Sequence, residues 1–396
     1  MTRRQLGNGT EEPAGGPSRS RRRARSRRIP LPALAALLSA AVVAAGVGSL
    51  LLVGRQHGSA ASTRPLASPS GSGSGAGAGP SVPTGSTAPS APAPGAAGDV
   101  PLGLNAPYEY LGWGNPQPPE AVLAATGIRQ ITLGFITGDS GCTPAWDGSR
   151  PLTGGSDESA VNAIRAHGGD VVVSFGGASG DRLAVACTTA AALAGAYGRV
   201  VDAYHLKAVD FDLENAEISS GPVRQRVIDA LGLLHGTHPA LRMYATVALG
   251  TTGPDAPELD LIHRGAAAHL ELTGWVGMPF DFGQHDGSMS QVSVTATDGL
   301  AHALAGSGYG YSLDQAYRHT GLSSMNGATD EADETVGKAD FAVLLGYART
   351  HHLARFTFWA VNRDRSCGAG LTKGDSCSGI AQQPYAFTEL AASYRG

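Results

Sequence analysis

From residue 100 onward the apolar and polar positions of this chain follow two alternating periods. Short apolar runs, rich in Val, Ile, Phe, Tyr and Trp, fall at 108–114, 130–136, 170–175, 209–214, 242–248, 274–282, 322–325 and 356–361. Between them lie longer Ala- and Leu-rich stretches with helical spacing, at 159–167, 188–204, 224–235, 259–269, 291–305 and 338–351. Strand-like runs alternating with helical stretches predict βα units, and eight of them predict a closed parallel (β/α)8 (TIM) barrel in the α/β class. One run inverts the usual pattern. In Leu-Lys-Ala-Val-Asp-Phe-Asp-Leu-Glu-Asn (206–215), Asp210, Asp212 and Glu214 alternate with Val209, Phe211 and Leu213. A strand sends successive side chains to opposite faces, so one face carries three acids and the other three large apolar groups. Acids in a row repel one another. A solvated edge strand is the plain alternative. A barrel strand explains the pattern better, because its outer face packs on helices and its inner face opens to a site at the C-terminal rim.

The first hundred residues lack this pattern. Residues 1–30 carry nine Arg and two Glu and no aromatic residue. Residues 31–54 carry no charge and are mostly Ala, Leu, Val and Gly, a run long enough to span a bilayer. Residues 55–99 are dominated by Gly, Ser, Ala and Pro and read as a flexible spacer. The Arg-rich start could be a nucleic-acid patch. Its position immediately before an uncharged run favours the cytoplasmic flank of a membrane segment. The expected organisation is therefore a basic tail (1–30), a transmembrane or signal anchor (31–54), a linker (55–99) and the barrel domain (100–396). The barrel would lie outside the cell, anchored at the membrane or secreted after cleavage near Ser59-Ala60-Ala61. The Gly75, Gly77 and Gly79 spacing in the linker is no phosphate loop, since neither a strand nor a helix flanks it.

Charge and cysteine content narrow the function. The net charge of −4 hides an asymmetry: 11 of the 29 basic residues precede residue 65, and 31 of the 33 acidic ones follow residue 98. The folded part is thus acidic, which argues against a nucleic-acid ligand. Cys142, Cys187, Cys367 and Cys377 form no CxxC pair, so a zinc site is not expected. In an exported domain they read as two disulfides. Three connectivities are open, and the short loop favours Cys367–Cys377, leaving Cys142–Cys187. No cofactor or metal is implied, and the expected state is a monomer.

Residues 170–180 run Asp-Val-Val-Val-Ser-Phe-Gly-Gly-Ala-Ser-Gly. The β-branched run ends in Ser174 and then Gly176-Gly177, which let backbone approach closely at a rim loop. A plain Gly-rich turn is the alternative. Taken with the acid row, this segment resembles glycoside hydrolase family 18, the chitinases and endo-β-N-acetylglucosaminidases. Ser174-Phe175-Gly176-Gly177 resembles the third-strand motif S-x-G-G, and Lys207 through Glu214 resembles the fourth-strand motif D-x-x-D-x-D-x-E. Met278-Pro279-Phe280-Asp281-Phe282-Gly283 and Phe358-Trp359-Ala360-Val361-Asn362-Arg363-Asp364 resemble the sixth- and eighth-strand motifs of bacterial members. The resemblance spans roughly 105–396.

The resemblance implies a retaining glycosidase whose nucleophile is the substrate's own 2-acetamido oxygen, one of the exceptions to the two-carboxylate scheme. It implies Glu214 as general acid and then base, Asp212 as stabiliser of the developing oxazolinium charge, and Asp210 as the group that tunes Asp212 from below, sharing a proton with it. It further implies Trp359 as the floor of the sugar site, against the alternative of a core Trp, with Met278 and Asp281 lining the cleft and Gln382 as a further contact. Two positions depart from the family pattern. Lys207 replaces the first Asp, with Ala208 beside it, and Phe280-Asp281-Phe282 carries no Tyr hydroxyl for the acetamido oxygen. Tyr244 or Tyr311 is expected to substitute. Gly138-Asp139-Ser140-Gly141 is no serine-protease loop, because the only upstream His is His57. No HExxH occurs, and His351-His352 at a helix end reads as structural. The expected function is a chitinase acting on β-1,4-linked N-acetylglucosamine polymers. The alternatives are an endo-β-N-acetylglucosaminidase and a catalytically weak carbohydrate-binding relative.

Overall fold

The computed structural model describes residues 100–396, so the expected tail, membrane segment and linker (1–30, 31–54 and 55–99) lie outside the described residues. No helix among the described residues is long and apolar enough to cross a membrane.

Eight parallel strands follow one another around a sheet: β1 (Tyr108–Tyr110), β2 (Gln130–Asp139), β3 (Asp170–Gly176), β4 (Ala208–Asp212), β5 (Arg242–Ala248), β6 (Gly274–Met278), β7 (Thr320–Met325) and β8 (Arg355–Trp359). The ring closes between its ends. The Phe356 N–H of β8 donates to the Leu104 carbonyl at 2.8 Å, and the Thr357 hydroxyl donates to the Ala106 carbonyl. All six expected helical stretches are present within a few residues, as Ser156–Ala166, Ala190–Tyr204, Gly221–Thr237, Ala256–Ala267, Met289–Gly306 and Lys338–His351. Their starts have local causes. Thr189 accepts from the Ala192 N–H, Ser288 and Gln291 form a reciprocal capping box, and Pro occupies the first turn of Gly221–Thr237 and Ala256–Ala267.

Two expectations on extent are corrected. The expected 108–114 and 274–282 strands stop at Tyr110 and Met278, because the chain turns at Gly114 and Asp281, both at positive φ. An antiparallel strand, Thr143–Trp146, was not read from the sequence; it pairs with the end of β2. The paired cysteines are Cys142–Cys187 and Cys367–Cys377, closing separations of 45 and 10 residues.

The inverted run behaves as a barrel strand should. Val209, Phe211 and Leu213 face outward into the main core and are essentially inaccessible. The Phe211 ring stacks on Phe175 of β3 at 5.2 Å and meets Tyr197 of the Ala190–Tyr204 helix edge-on at 4.9 Å. Each such ring contributes roughly 1.5–3 kcal/mol by burial, which fixes the strand's register and turns its acids inward. Lys207, at the strand's outer start, extends into solvent and pairs with Asp170 at 3.0 Å. A cation is tolerated there because that end of β4 is the one furthest from the rim.

Candidate active site

The acids of β4 occupy three depths. Asp210 is fully buried, Asp212 is 5% exposed, and Glu214, just past the strand, is half-buried. Asp210 is saturated with donors. Its Oδ2 accepts from the Tyr108 hydroxyl at 2.8 Å and the Ser174 hydroxyl at 2.6 Å, and its Oδ1 from the Thr246 hydroxyl at 2.7 Å. The Arg355 guanidinium, also fully buried, lies 3.7 Å from Oδ1. Three hydroxyl donors and one guanidinium surround the carboxylate, and no hydrogen bond joins Asp210 to Asp212 among the described residues. Asp210 is held by those hydroxyls and by Arg355 rather than by a hydrogen bond to Asp212.

Asp212 and Glu214 are both shifted upward. Burial, then the charges of Glu214, Asp210 and Glu217, push the Asp212 carboxyl well above its ordinary value, and Arg182 only partly opposes this. Its Oδ1 is buried without a partner. Burial likewise raises Glu214, with Arg182 pulling down and Asp281 pushing up. The result is a firmly hydrogen-bonded anchor, Asp210, under two carboxyls that hold protons into a higher pH range.

Above them opens a cavity of about 450 Å³ at the C-terminal ends of the strands, where barrels of this type carry their sites. Asp212, Glu214, Met278, Asp281 and Trp359 all line it. Trp359, at the end of β8, is half-buried; its ring stacks on Phe135 at 5.5 Å and meets Tyr108 at 6.1 Å. Asp281 is held by the turn that presents it: its N–H donates to the Glu334 carboxylate at 2.8 Å and its Oδ1 accepts from the Asp330 N–H at 2.9 Å.

Several expected residues lie elsewhere. Ser174 is buried and serves Asp210. Gly176 and Gly177 do not line the cavity. Both have positive φ, and a Cβ at Gly176 would fall 2.2 Å from the Asp212 carbonyl oxygen. Their role is close backbone approach between β3 and β4. Tyr244 faces the barrel interior but at its opposite end, where its hydroxyl donates to the Leu102 carbonyl at 3.2 Å. Tyr311 stacks on His319 at 4.4 Å, below β7. Neither replaces the missing sixth-strand hydroxyl, because both sit at the strands' starting ends. Gln382 donates to Asp364 at 2.6 Å and is absent from the cavity lining.

The sequence reading missed Tyr108, Phe135, Ser323 and Met325, which line the cavity from β1, β2 and β7. It also missed the buried Arg182–Glu217 pair beneath Glu214, at 3.7 Å. Glu217 follows Glu214 by three residues, and this was the available signal: its N–H donates to the Glu214 carbonyl in a short helical turn.

No family model matches the chain. The chain is 24% identical over 297 residues to a probable bifunctional chitinase/lysozyme of Escherichia coli strain K12, an alignment covering 71% of this chain and 33% of that protein. It is 22% identical over 253 residues to endochitinase 11 of Metarhizium anisopliae, covering 60% and 48%. The chain thus spans about a third of one relative and about half of the other. Among solved structures, the catalytic domain of a hyperthermophilic chitinase from Pyrococcus furiosus superposes with a TM-score of 0.66 at 24% identity, over 75% of this chain and 98% of that one. A family GH18 chitinase from Chromobacterium violaceum gives a TM-score of 0.51 at 17% identity, over 74% and 83%. In sequence and in fold the domain is chitinase-like, similar to those of glycoside hydrolase family 18.

Proposed function

We propose that the domain hydrolyses β-1,4-linked N-acetylglucosamine polymers by the substrate-assisted, retaining route. The observation that carries this reading is the graded acid row of β4, open to the cavity at Glu214 and Asp212 and closed beneath at Asp210. Glu214 protonates the leaving glycosidic oxygen and then takes a proton from the incoming water. Its burial supports this role by keeping the proton on the carboxyl at the start of the cycle. Asp212 orients the 2-acetamido group, whose oxygen forms the bond to the anomeric carbon as the glycosidic bond breaks. The same side chain faces the positive charge of the cyclic intermediate. Trp359 offers an indole face to the apolar face of a pyranose, with Met278 and Asp281 on the cavity wall.

A binding-only relative is the second reading, favoured by one observation: no tyrosine hydroxyl extends from β6, where Phe280 and Phe282 line the cavity instead. Removing one preorganised donor costs about 10²–10³ in rate. Hydrolysis of N-acetylglucosamine oligomers by the full chain, beside Glu214→Gln, decides between them. Cleavage with retention that is lost in the variant supports the hydrolase. Oligomer binding by both proteins without cleavage supports the second reading. For residues 1–99 the proposal remains a basic tail, a membrane anchor and a linker that hold the barrel outside the cell. Its test is whether protease added to intact cells removes the barrel.

A further inference from the structure

Asp281 carries its carboxylate into the cavity on a strained backbone. Its φ is 56°, a left-handed conformation that few side chains adopt, though Asp is among those that tolerate it. Such a conformation persists only where the surroundings hold it, and it gathers where function needs it. What holds it here is a residue outside the cavity lining. Glu334 is 1% exposed, and its Oε2 accepts from the Asp281 N–H at 2.8 Å and from the Thr329 hydroxyl at 3.2 Å. The Thr329 N–H donates to the Glu334 carbonyl at 3.1 Å, beside the short antiparallel pairing of Gly327–Ala328 with Thr335–Val336. The start of this loop is pinned to the end of β8. The Asn326 N–H donates to the Trp359 carbonyl at 3.1 Å, and the Asn326 Oδ1 accepts from the Ala360 N–H at 2.9 Å. Glu334 therefore joins the turn after β6 to a loop anchored on the strand that carries Trp359.

We propose that Glu334 is a positioning residue of the acid/base: by holding the Asp281 N–H it fixes the strained turn that keeps the Asp281 carboxylate in the cavity it shares with Glu214. The inference rests on the hydrolase reading and deepens it. Burial raises the Glu214 carboxyl, Arg182 pulls it down, and the Asp281 charge pushes it up again. That push depends on distance, so a turn free to relax weakens it. Other charged groups surround the contact. Asp330 and Glu331 stand on the loop itself, and the Asp330 N–H donates to the Asp281 Oδ1 at 2.9 Å. Arg363, in the turn after β8, is fully buried and faces Asp330, Asp281 and Asp375. None of them does what Glu334 does, because among the described residues no other acceptor takes the Asp281 N–H.

The test is the pH profile of kcat/KM on an N-acetylglucosamine oligomer, measured on the full chain. Glu214 must be protonated to act as the acid, so the alkaline limb reports its proton. Asp281→Asn removes the push on Glu214 and is expected to move that limb to lower pH. Glu334→Ala, with no acceptor for the N–H, is expected to move it the same way. Glu334→Gln keeps an acceptor and is expected to hold the limb nearer wild type. Because Glu334 acts through Asp281, the limb of Glu334→Ala/Asp281→Asn is expected to coincide with that of Asp281→Asn alone. Should Glu334→Ala not fold, Glu334→Asp, a methylene too short to reach the N–H, takes its place with the same expectation. A limb unmoved by Asp281→Asn or by the loss of Glu334, or a further displacement in the double variant, overturns the proposal, even where activity falls at every pH. If wild type does not cleave the oligomer, the hydrolase reading falls. Carbon-13 NMR titration of the Glu214 carboxyl, assigned by its loss in Glu214→Gln, then decides the contact alone, and a titration unmoved in Glu334→Ala overturns it.

Discussion

Arg355 and Asp210 approach to 3.7 Å in the barrel interior, and neither has any solvent exposure. The guanidinium also donates to the Thr132 hydroxyl at 2.7 Å and lies over the Tyr244 ring at 4.9 Å from its centroid. The pair links the closing strand β8 to the strand that carries the acids. Removing one partner of a buried pair leaves an uncompensated charge, at about 3–5 kcal/mol. Arg355→Met and Asp210→Asn are therefore both expected to lower the denaturation midpoint strongly, the first by stranding a buried carboxyl and the second by stranding a guanidinium that cannot shed its charge. Equilibrium urea unfolding checks both. A loss under about 1 kcal/mol in Arg355→Met would mean that the pair contributes only packing.

Arg182 bears on the pH range of activity. Its charge lowers the Glu214 carboxyl against the upward push of burial. A general acid must be protonated, so the rate falls as pH rises through its pKa. Arg182→Gln removes the opposing charge, raises that pKa, and is expected to move the alkaline limb of the pH–rate profile to higher pH. A limb that stays in place while activity drops uniformly would reduce Arg182 to a structural contact of Glu217.

Glu109 lies on the outer face of β1 with no solvent exposure, and neither carboxyl oxygen has a hydrogen-bond partner of good geometry. Burial, with a contribution from Glu120, raises its pKa to about 8 against the pull of Arg365 and the Gln117 backbone. The folded form thus holds a proton that the unfolded form releases near pH 4.5. The stability this gives is complete below about pH 4.5 and is lost as pH rises to about 8. Glu109→Gln is expected to raise Tm at pH 8 by several degrees and to change little at pH 4.5. Equal shifts at both pH values would contradict the linkage.

Trp359 presents its ring to the cavity and rests on Phe135. Loss of a large aromatic contact at a binding surface commonly costs 2 kcal/mol or more, about a thirtyfold change. Trp359→Ala is expected to raise KM on N-acetylglucosamine oligomers by roughly that factor, with a smaller fall in kcat. A kcat effect larger than the KM effect would instead tie the indole to the transition state.

The two disulfides differ in reach. Chain-entropy arithmetic gives about 4 kcal/mol for the 45-residue separation of Cys142–Cys187 and about 3 kcal/mol for the 10-residue separation of Cys367–Cys377. Replacing the first pair with Ser is expected to lower Tm more than replacing the second. Calorimetry of the two double variants tests the order.

The sequence made the barrel and the acid row legible because both rest on periodicity. Outward burial of Val209 and Phe211 forces Asp210 and Asp212 inward whatever the rest of the chain does. Period two reports a face and carries no depth, which is why Tyr244 was expected in the cleft: it faces inward, as Asp210 does, but its ring extends to the opposite end. Ser174 was legible by motif, but its role depends on the register that sets it beside Asp210. Tyr108 and Phe135 were not legible, since an aromatic in an apolar strand looks like any core ring until the neighbouring strands are known. Gln382 lies in a loop whose path is set by the Asp364 carboxylate, and no local pattern encodes that.

The seam between Phe356 and Leu104 joins points about 250 residues apart in the chain. During synthesis the ribosome releases the two sides of that seam at opposite ends of the domain's emergence. Until β8 emerges, β1 has an unpaired edge, and the acids of β4 lack the Arg355 charge that neutralises them from below. From the emergence of β4 until β8 arrives, the nascent barrel is therefore an open sheet in which Asp210 lacks its buried counter-charge. A domain with this wiring depends on whatever holds unfinished chains apart until the last strand arrives.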